Sequence, residues 1–217
     1  MSGADCAAGV LKVLGKASIC FLKVTAELLS ECAECAMIPV RGRLSAHELL
    51  IFPDPALPCR NWLAEGSCRR GNCTYAHEPT SLTRMLDEFN KAEKSIDVCV
   101  FNITLDAISD CLVACSRRGV KVRLITDDEQ QQSAGSDVLR MAKDGILVRN
   151  DKSEYLMHHK FSVVDRYTVL TGSFNYTQSA TLKNREHVLI MHSWRLAREY
   201  RTLFQRMWDE FVEGEVR

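Results

Sequence analysis

Between Met157 and Glu186 the chain concentrates groups that could act on phosphorus. His158, Lys160 and Asp165 have the spacing H-x-K-x4-D. Gly172, Ser173 and Asn175 follow as G-S-x-N, and Asn184 and Glu186 read N-x-E. With the His, Lys and Asp frequencies of this chain, the first triplet is expected by chance only about 0.02 times. Residues i and i+2 of a strand point the same way, so His158 and Lys160 can face one ligand, while His159 faces away. Asn175, on the next strand, could reach the same place. An imidazole, an ammonium and an amide converging on one point suit a phosphate: ammonium and amide orient and neutralise the oxygens, and the imidazole attacks phosphorus. Glu186 could accept a hydrogen bond from the other imidazole nitrogen and set the tautomer. The competing reading makes these ordinary structural polar residues. It is most concrete for Asp165, which falls at a strand end where turn aspartates are common.

A second cluster lies upstream. Cys59, Cys68, Cys73 and His77 have the spacing C-x8-C-x4-C-x3-H, with Gly66 and Gly71 between them. Three thiolates and one imidazole fit a closed tetrahedral zinc site. So short a segment cannot bury a core of its own, and metal binding would supply its folding energy. The alternative is a scatter of reduced cysteines.

The elements that must position these groups follow from periodicity. Residues 82–94, 105–117, 137–143 and 194–211 have helical spacing, with Gly145 ending the third helix. Residues 95–103, 120–126, 146–150, 159–165, 168–173 and 187–191 read as strands. The alternation predicts an α/β domain with a mixed, mostly parallel central sheet flanked by helices, preceded by the small finger. The pair at 160–173 resembles a hairpin, which is why the sheet is expected to be mixed. Residues 39–58, with Pro39, Pro53, Pro55 and Pro58, read as an extended connection. The expected organisation is an N-terminal segment over 1–38, this connection, the finger over 59–77 and the catalytic domain over 81–217.

The run from Val10 to Leu29 is apolar, but Lys12, Lys16 and Lys23 share one helical face. It could lie in a membrane interface, act as a mitochondrial targeting segment, or pack on the domain as an amphipathic helix. Formal net charge is zero, so any nucleic-acid surface must come from local patches. The composition, 46% hydrophobic and 26% charged, is globular. Ten cysteines without a convincing signal-peptide cleavage site point to a reducing compartment. Cys99, Cys111 and Cys115 read as reduced core residues. Cys32 and Cys35 form a CxxC that could be redox-active, but no βαβ context surrounds it.

The H-x-K-x4-D and G-S-x-N pair resembles the signature of the phospholipase D superfamily over about residues 81–213. The resemblance implies a metal-free phosphodiesterase with His158 as nucleophile and a phosphohistidine intermediate. Lys160, Asn175 and Ser173 would bind the phosphate, with Asp165 and Glu186 in support. That mechanism needs a second histidine as acid, and the chain holds one motif. A two-fold homodimer that shares the site is the simplest solution; a monomer using His159 or His187 as acid is the alternative. The cysteine module resembles CCCH zinc fingers, apart from a middle spacing of four where five is common. Such fingers often bind single-stranded RNA, and Trp62 and Tyr75 occupy plausible stacking positions beside Arg60, Arg69 and Arg70.

Taken with "MHHKF", "TGSFNYT" and "NREHVLI", the whole chain is similar to the mitochondrial phospholipase D family, also called Zucchini. This implies an anchor in the mitochondrial outer membrane, a cytosol-facing catalytic domain and a homodimer. It also implies cleavage of single-stranded precursors of PIWI-interacting RNAs to leave 5′-phosphates. The rival activity is hydrolysis of cardiolipin to phosphatidic acid. The loop 127–136, "DDEQQQSAGS", has no greasy lip, which favours RNA over lipid. A non-catalytic adaptor using the finger alone is a third class, and it would leave His158→Ala without consequence.

Overall fold

The computed structural model describes residues 47–127, 137–151 and 154–213. The readings made for the N-terminal apolar run, for Cys32 and Cys35, and for the loop at 128–136 fall outside the described residues. Ser45–Arg217 forms one compact unit.

Three parallel strands set its frame. Ser95–Val100 (β2) is buried at five of six positions, as expected for a strand covered on both faces. Lys121–Ile125 (β3) follows the helix Asp106–Arg117 (α3), and Leu147–Asn150 (β4) follows the helix Val138–Lys143 (α4). These crossovers make β2–β3 and β3–β4 parallel. Lys160–Val164 (β5) then pairs antiparallel with β2, and a tight turn returns Thr168–Gly172 (β6) beside it. His187–His192 (β7) adds antiparallel to β6, and Val212–Glu213 (β8) to β4.

The sheet is therefore mixed and flanked by helices, but the expected predominance of parallel pairs is corrected. With His47–Ile51 as β1, the described strands run in the order β1-β7-β6-β5-β2-β3-β4-β8, and two of their seven pairings are parallel. Hairpin and edge pairings supply most of the antiparallel pairs, and for β6–β7 the reason lies in the connection. Its helix, Gln178–Leu182 (α5), rises only about 8 Å, too little to carry the chain back along a strand of about 16 Å. The chain returns antiparallel instead.

The remaining strand, His47–Ile51 (β1), lies inside the stretch read as an extended connection. It forms an edge of the sheet, antiparallel to β7, with Leu49 and Ile51 exposed and Leu50 buried. Arg84 ties it to the helix Ser81–Asn90 (α2) through Glu48, at 2.7 Å. Asp54, two residues past the buried Phe52, accepts the amides of Ser81 and Leu82 at 3.0 and 2.9 Å and so caps α2. Thr80 completes that cap with Thr83.

Two cores cover the sheet. On one face Leu82, Met85, Leu86 and Phe89 of α2 pack with Ile108 and Leu112 of α3 over Ile96, Val98 and Val164. On the other, the helix Trp194–Glu210 (α6) lays Ala197, Phe204 and Met207 on Cys99, Phe161, Val163 and Val169. Arg123 locks α6 in place. It grips Asp97 with two nitrogens, at 2.7 and 2.9 Å, and lies over the rings of Phe204 and Trp208.

Candidate active site

Lys160 opens β5 opposite Val100, at the end of β2. His158 stands just before it, exposed, with Nε2 3.2 Å from Lys160 Nζ. The ammonium also donates to the His158 carbonyl at 3.1 Å. An ammonium donating to Nε2 requires the lone pair there and the ring proton on Nδ1. In that tautomer the Nε2 lone pair becomes free to attack once the ammonium turns to a phosphate oxygen. Burial lowers the Lys160 pKa from the ordinary lysine value, and the negative charge of Glu186 partly opposes it. His159 turns to the other face, as alternation requires, and its ring meets Phe161 edge-on at 5.8 Å. Burial, then the charges of Lys160 and His158, lower its pKa.

The G-S-x-N segment runs alongside. Phe161 pairs with Thr171, and extending that register by one residue sets Gly172 opposite Lys160. A Cβ on Gly172 would collide with the backbone carbonyl of His187, so only glycine lets β6 and β7 approach here. Ser173 is stitched to β7: its amide donates to the His187 carbonyl, and its Oγ accepts the His187 amide, both at 3.2 Å. Its Oγ also lies 3.5 Å from His187 Nδ1. Phe174 and Tyr176 are buried, and alternation turns Ser173 and Asn175 the other way. The buried Oδ1 of Asn175 has no hydrogen-bond partner among the described residues, an unusual condition for a polar atom outside a functional site.

Two expectations change here. Asp165 is not at the site. It sits at the opposite end of β5, about 16 Å along the strand from Lys160. Its carboxylate accepts the amides of Glu93, Lys94 and Ser95 at 2.8, 2.8 and 2.9 Å, and its backbone is left-handed at φ 49°. The signature aspartate thus ties the β5–β6 turn to the start of β2. Asp165→Ala is expected to lower stability by about 3 kcal/mol, from the lost hydrogen bonds to a charged group. Turnover at 25 °C should stay within about threefold of wild type. Thermal melts run beside initial rates separate the two effects.

Glu186, the second, makes no hydrogen bond to His158 among the described residues. Its Oε1 accepts from Asn184 Nδ2 at 3.2 Å, which accounts for the N-x-E spacing, and its charge acts on Lys160.

Sequence reasoning missed three neighbours. Phe101 lies edge-on to His158, with ring centres 4.9 Å apart, and Lys160 Nζ is 5.4 Å from the centre of its ring. Phe52, read as connection, stacks on Phe174 at 4.2 Å and donates its amide to the Glu186 carbonyl at 2.9 Å. Tyr176 OH lies 2.6 Å from Ser162 Oγ in the core, fixing the G-S-x-N turn to β5. Hydrophobic side chains next to motif residues were the available signal, but core packing explains them equally well.

In the finger, Cys59, Cys68, Cys73 and His77 bring their donor atoms within 4.8 Å of one another. The Cys59 and Cys73 sulfurs are 3.8 Å apart. That matches the roughly 3.8 Å edge of a tetrahedron with Zn–S bonds of about 2.3 Å, so the residues fit zinc. The Trp62 amide beside the Cys59 sulfur pulls that thiol down to about 6, towards the thiolate a metal takes. The helix Arg60–Glu65 (α1) leaves the first ligand and ends at Gly66, left-handed at φ 67°. A short ladder closes the module: the Cys59 amide donates to Ala76, and the Ala76 amide to Leu57. Of the residues expected to meet RNA, Arg60 pairs with Asp110 of α3 at 3.1 Å, Trp62 is half-buried, and Tyr75, Arg69 and Arg70 are exposed.

Residues 85–208 match the family model "Cardiolipin synthase, PLD-like domain", and residues 57–79 match the C-x8-C-x5-C-x3-H zinc-finger type and similar fingers. The mitochondrial cardiolipin hydrolase of Chlamydomonas reinhardtii is 43% identical over 164 residues, covering 76% of this chain and 74% of that protein. The protein of the same name from Xenopus tropicalis is 34% identical over 172 residues, covering 79% and 81%. Among solved structures, the phospholipase D family member Nuc of Salmonella typhimurium superposes with a TM-score of 0.64 at 24% identity, over 79% of this chain and 99% of that one. The chain belongs to the phospholipase D superfamily of phosphodiester hydrolases and, within it, to the mitochondrial phospholipase D (Zucchini) family.

Proposed function

We propose that the chain hydrolyses phosphodiesters through a phosphohistidine on His158, without a catalytic metal. The observation that carries this reading is the 3.2 Å approach of His158 Nε2 to Lys160 Nζ at an exposed sheet end. Lys160, Asn175 and Ser173 hold the phosphate oxygens. Nε2 attacks phosphorus, an N–P bond forms, and the P–O bond to the leaving group breaks. A second histidine protonates the departing oxygen. Water then attacks phosphorus and gives its proton to that second imidazole; the N–P bond breaks and the phosphate leaves. Zn2+ bound to Cys59, Cys68, Cys73 and His77 is structural.

The second histidine is His158 of another copy, in a homodimer that shares one site. Mixing wild-type chains with equal His158→Ala chains and allowing exchange would then leave about a quarter of the activity, because only wild-type pairs hold both histidines. Independent sites would leave half, which would overturn the shared site.

The preferred substrate is single-stranded RNA, cut at P–O3′ to leave a 5′-phosphate, in the making of PIWI-interacting RNAs. The exposed Tyr75, Arg69 and Arg70 support this, since a ring and two cations suit bases and backbone. Trp62 would add a second stacking surface. The apolar run at 10–29 would hold the chain at the mitochondrial outer membrane with the catalytic domain facing the cytosol. Cardiolipin is the second reading. The relatives' names support it, and so do Tyr155 and Leu156, exposed at 83% and 58% just ahead of His158. They form an apolar lip.

The test offers zinc-loaded full chain labelled single-stranded RNA and, separately, cardiolipin vesicles, both in buffer without added divalent cations or chelator. Paired assays use Tyr155→Ser/Leu156→Ser and Arg69→Ala/Arg70→Ala. RNA cleavage lost with the arginines supports the nuclease. Vesicle turnover lost with the lip, and RNA left intact, supports the lipase.

A further inference from the structure

Phe101 follows β2 directly, and its backbone is held from two sides. Its amide donates to the His159 carbonyl at 3.0 Å, extending the β2–β5 ladder past Lys160. Its carbonyl accepts from the buried Thr126 Oγ1 at 3.2 Å, at the end of β3. The ring is therefore placed by the two neighbours of β2: β5, which carries Lys160, and β3. It meets both reactive groups: the His158 ring edge-on at 4.9 Å and 60°, and Lys160 Nζ at 5.4 Å from its centre.

From this arrangement we propose that Phe101 is a positioning residue that keeps the His158 imidazole turned toward the Lys160 ammonium and holds that ammonium over its π face. The proposal rests on the phosphohistidine reading. His158 is exposed, and its ring hydrogen bond among the described residues is the one to Lys160. Without a packing partner it would sample other rotamers. An edge-to-face contact restricts them. The same ring offsets part of the desolvation of the Lys160 charge, because its negative face attracts the ammonium. Ring and carboxylate act by different means. Glu186 works on Lys160 through charge, and Phe101 works through contact with both reactive groups.

The sign of the pH effect follows. A π face favours the charged lysine, so removing it lowers the Lys160 pKa further. The alkaline limb of the rate profile then moves to lower pH.

Three full-chain variants test this: Phe101→Leu, Phe101→Tyr, and pentafluorophenylalanine at 101, which keeps the shape and reverses the ring's charge distribution. Phe101→Leu should lower kcat about 10- to 100-fold, with KM within about threefold. Phe101→Tyr should restore most of kcat, and both Leu and the fluorinated ring should shift the alkaline limb downward. A fluorinated variant that melts like wild type, with unchanged kcat and unchanged pH profile, overturns the proposal even if the Leu variant fails to fold. Trapping the acid-labile phosphoenzyme on wild type is run in parallel. If wild type forms no His158 adduct, the parent mechanism fails, which is a different outcome from an adduct that forms equally well in every Phe101 variant.

Discussion

His158→Ala abolishes turnover of every phosphodiester the enzyme accepts, with an expected loss of about 10,000-fold or more in kcat, as for nucleophiles that act within a unit. Neither nearby histidine among the described residues takes its place. His159 faces the α6 side and packs against Phe161. His187 is engaged through its amide with Ser173, on a strand two removed from β5. The loss should be confined to chemistry, since His158 is exposed and lies outside both cores. The melting temperature should therefore stay within about two degrees of wild type, as expected for a surface substitution. Rapid quench with labelled substrate gives the decisive readout. Wild type should show an adduct that survives alkali and is lost in acid, as a P–N bond requires, and the mutant should show none. A mutant that keeps a tenth of wild-type kcat would remove His158 from the role of nucleophile. Wild-type rates should also fall on the alkaline side below the ordinary lysine range near 10.4, because burial favours the neutral form of Lys160 and the neutral amine no longer neutralises the phosphate.

Stripping zinc with a strong chelator unfolds the finger and leaves the catalytic centre standing. Metal ligation in fingers of this size supplies about 10 kcal/mol or more, whereas residues 59–77 contribute little to either core. Loss of the metal should release α1, break the Arg60–Asp110 pair and expose Trp62, read as a red shift in its fluorescence. The effect on the site is bounded by geometry. Phe52, Asp54 and Leu57 belong to the main body, where they meet Phe174, cap α2 and pack on the first core. Cleavage of a small chromogenic phosphodiester should fall by at most about tenfold, while Cys68→Ser should reproduce the spectral change without any chelator. Cleavage of long RNA that collapses while the small substrate is still turned over would assign the finger to RNA capture. Equal losses on both substrates would make it a brace.

The sequence by itself determined the family and the local geometry of its motifs. Period-two alternation is a property of any strand, so His158 and Lys160 had to share a face and His159 had to leave it. Cysteine spacing likewise closes a ligand set within one short loop, where chain connectivity alone limits the distances. The helices and buried strands followed from hydrophobic periodicity. What only the tertiary structure decided is everything that depends on pairing across long sequence separations. The direction of β7 turns on how far a five-residue helix can carry the chain, and the edge strand β1 is concealed in a span whose prolines read as a connection. Asp165 belongs to the motif in sequence yet stands a strand's length from His158, because a strand separates its two ends by about 3.3 Å per residue. Phe101 is 57 residues from His158 and touches it only because β2 and β5 end side by side. Spacing along the chain reports local geometry; contacts between distant segments exist only once the sheet has chosen its order.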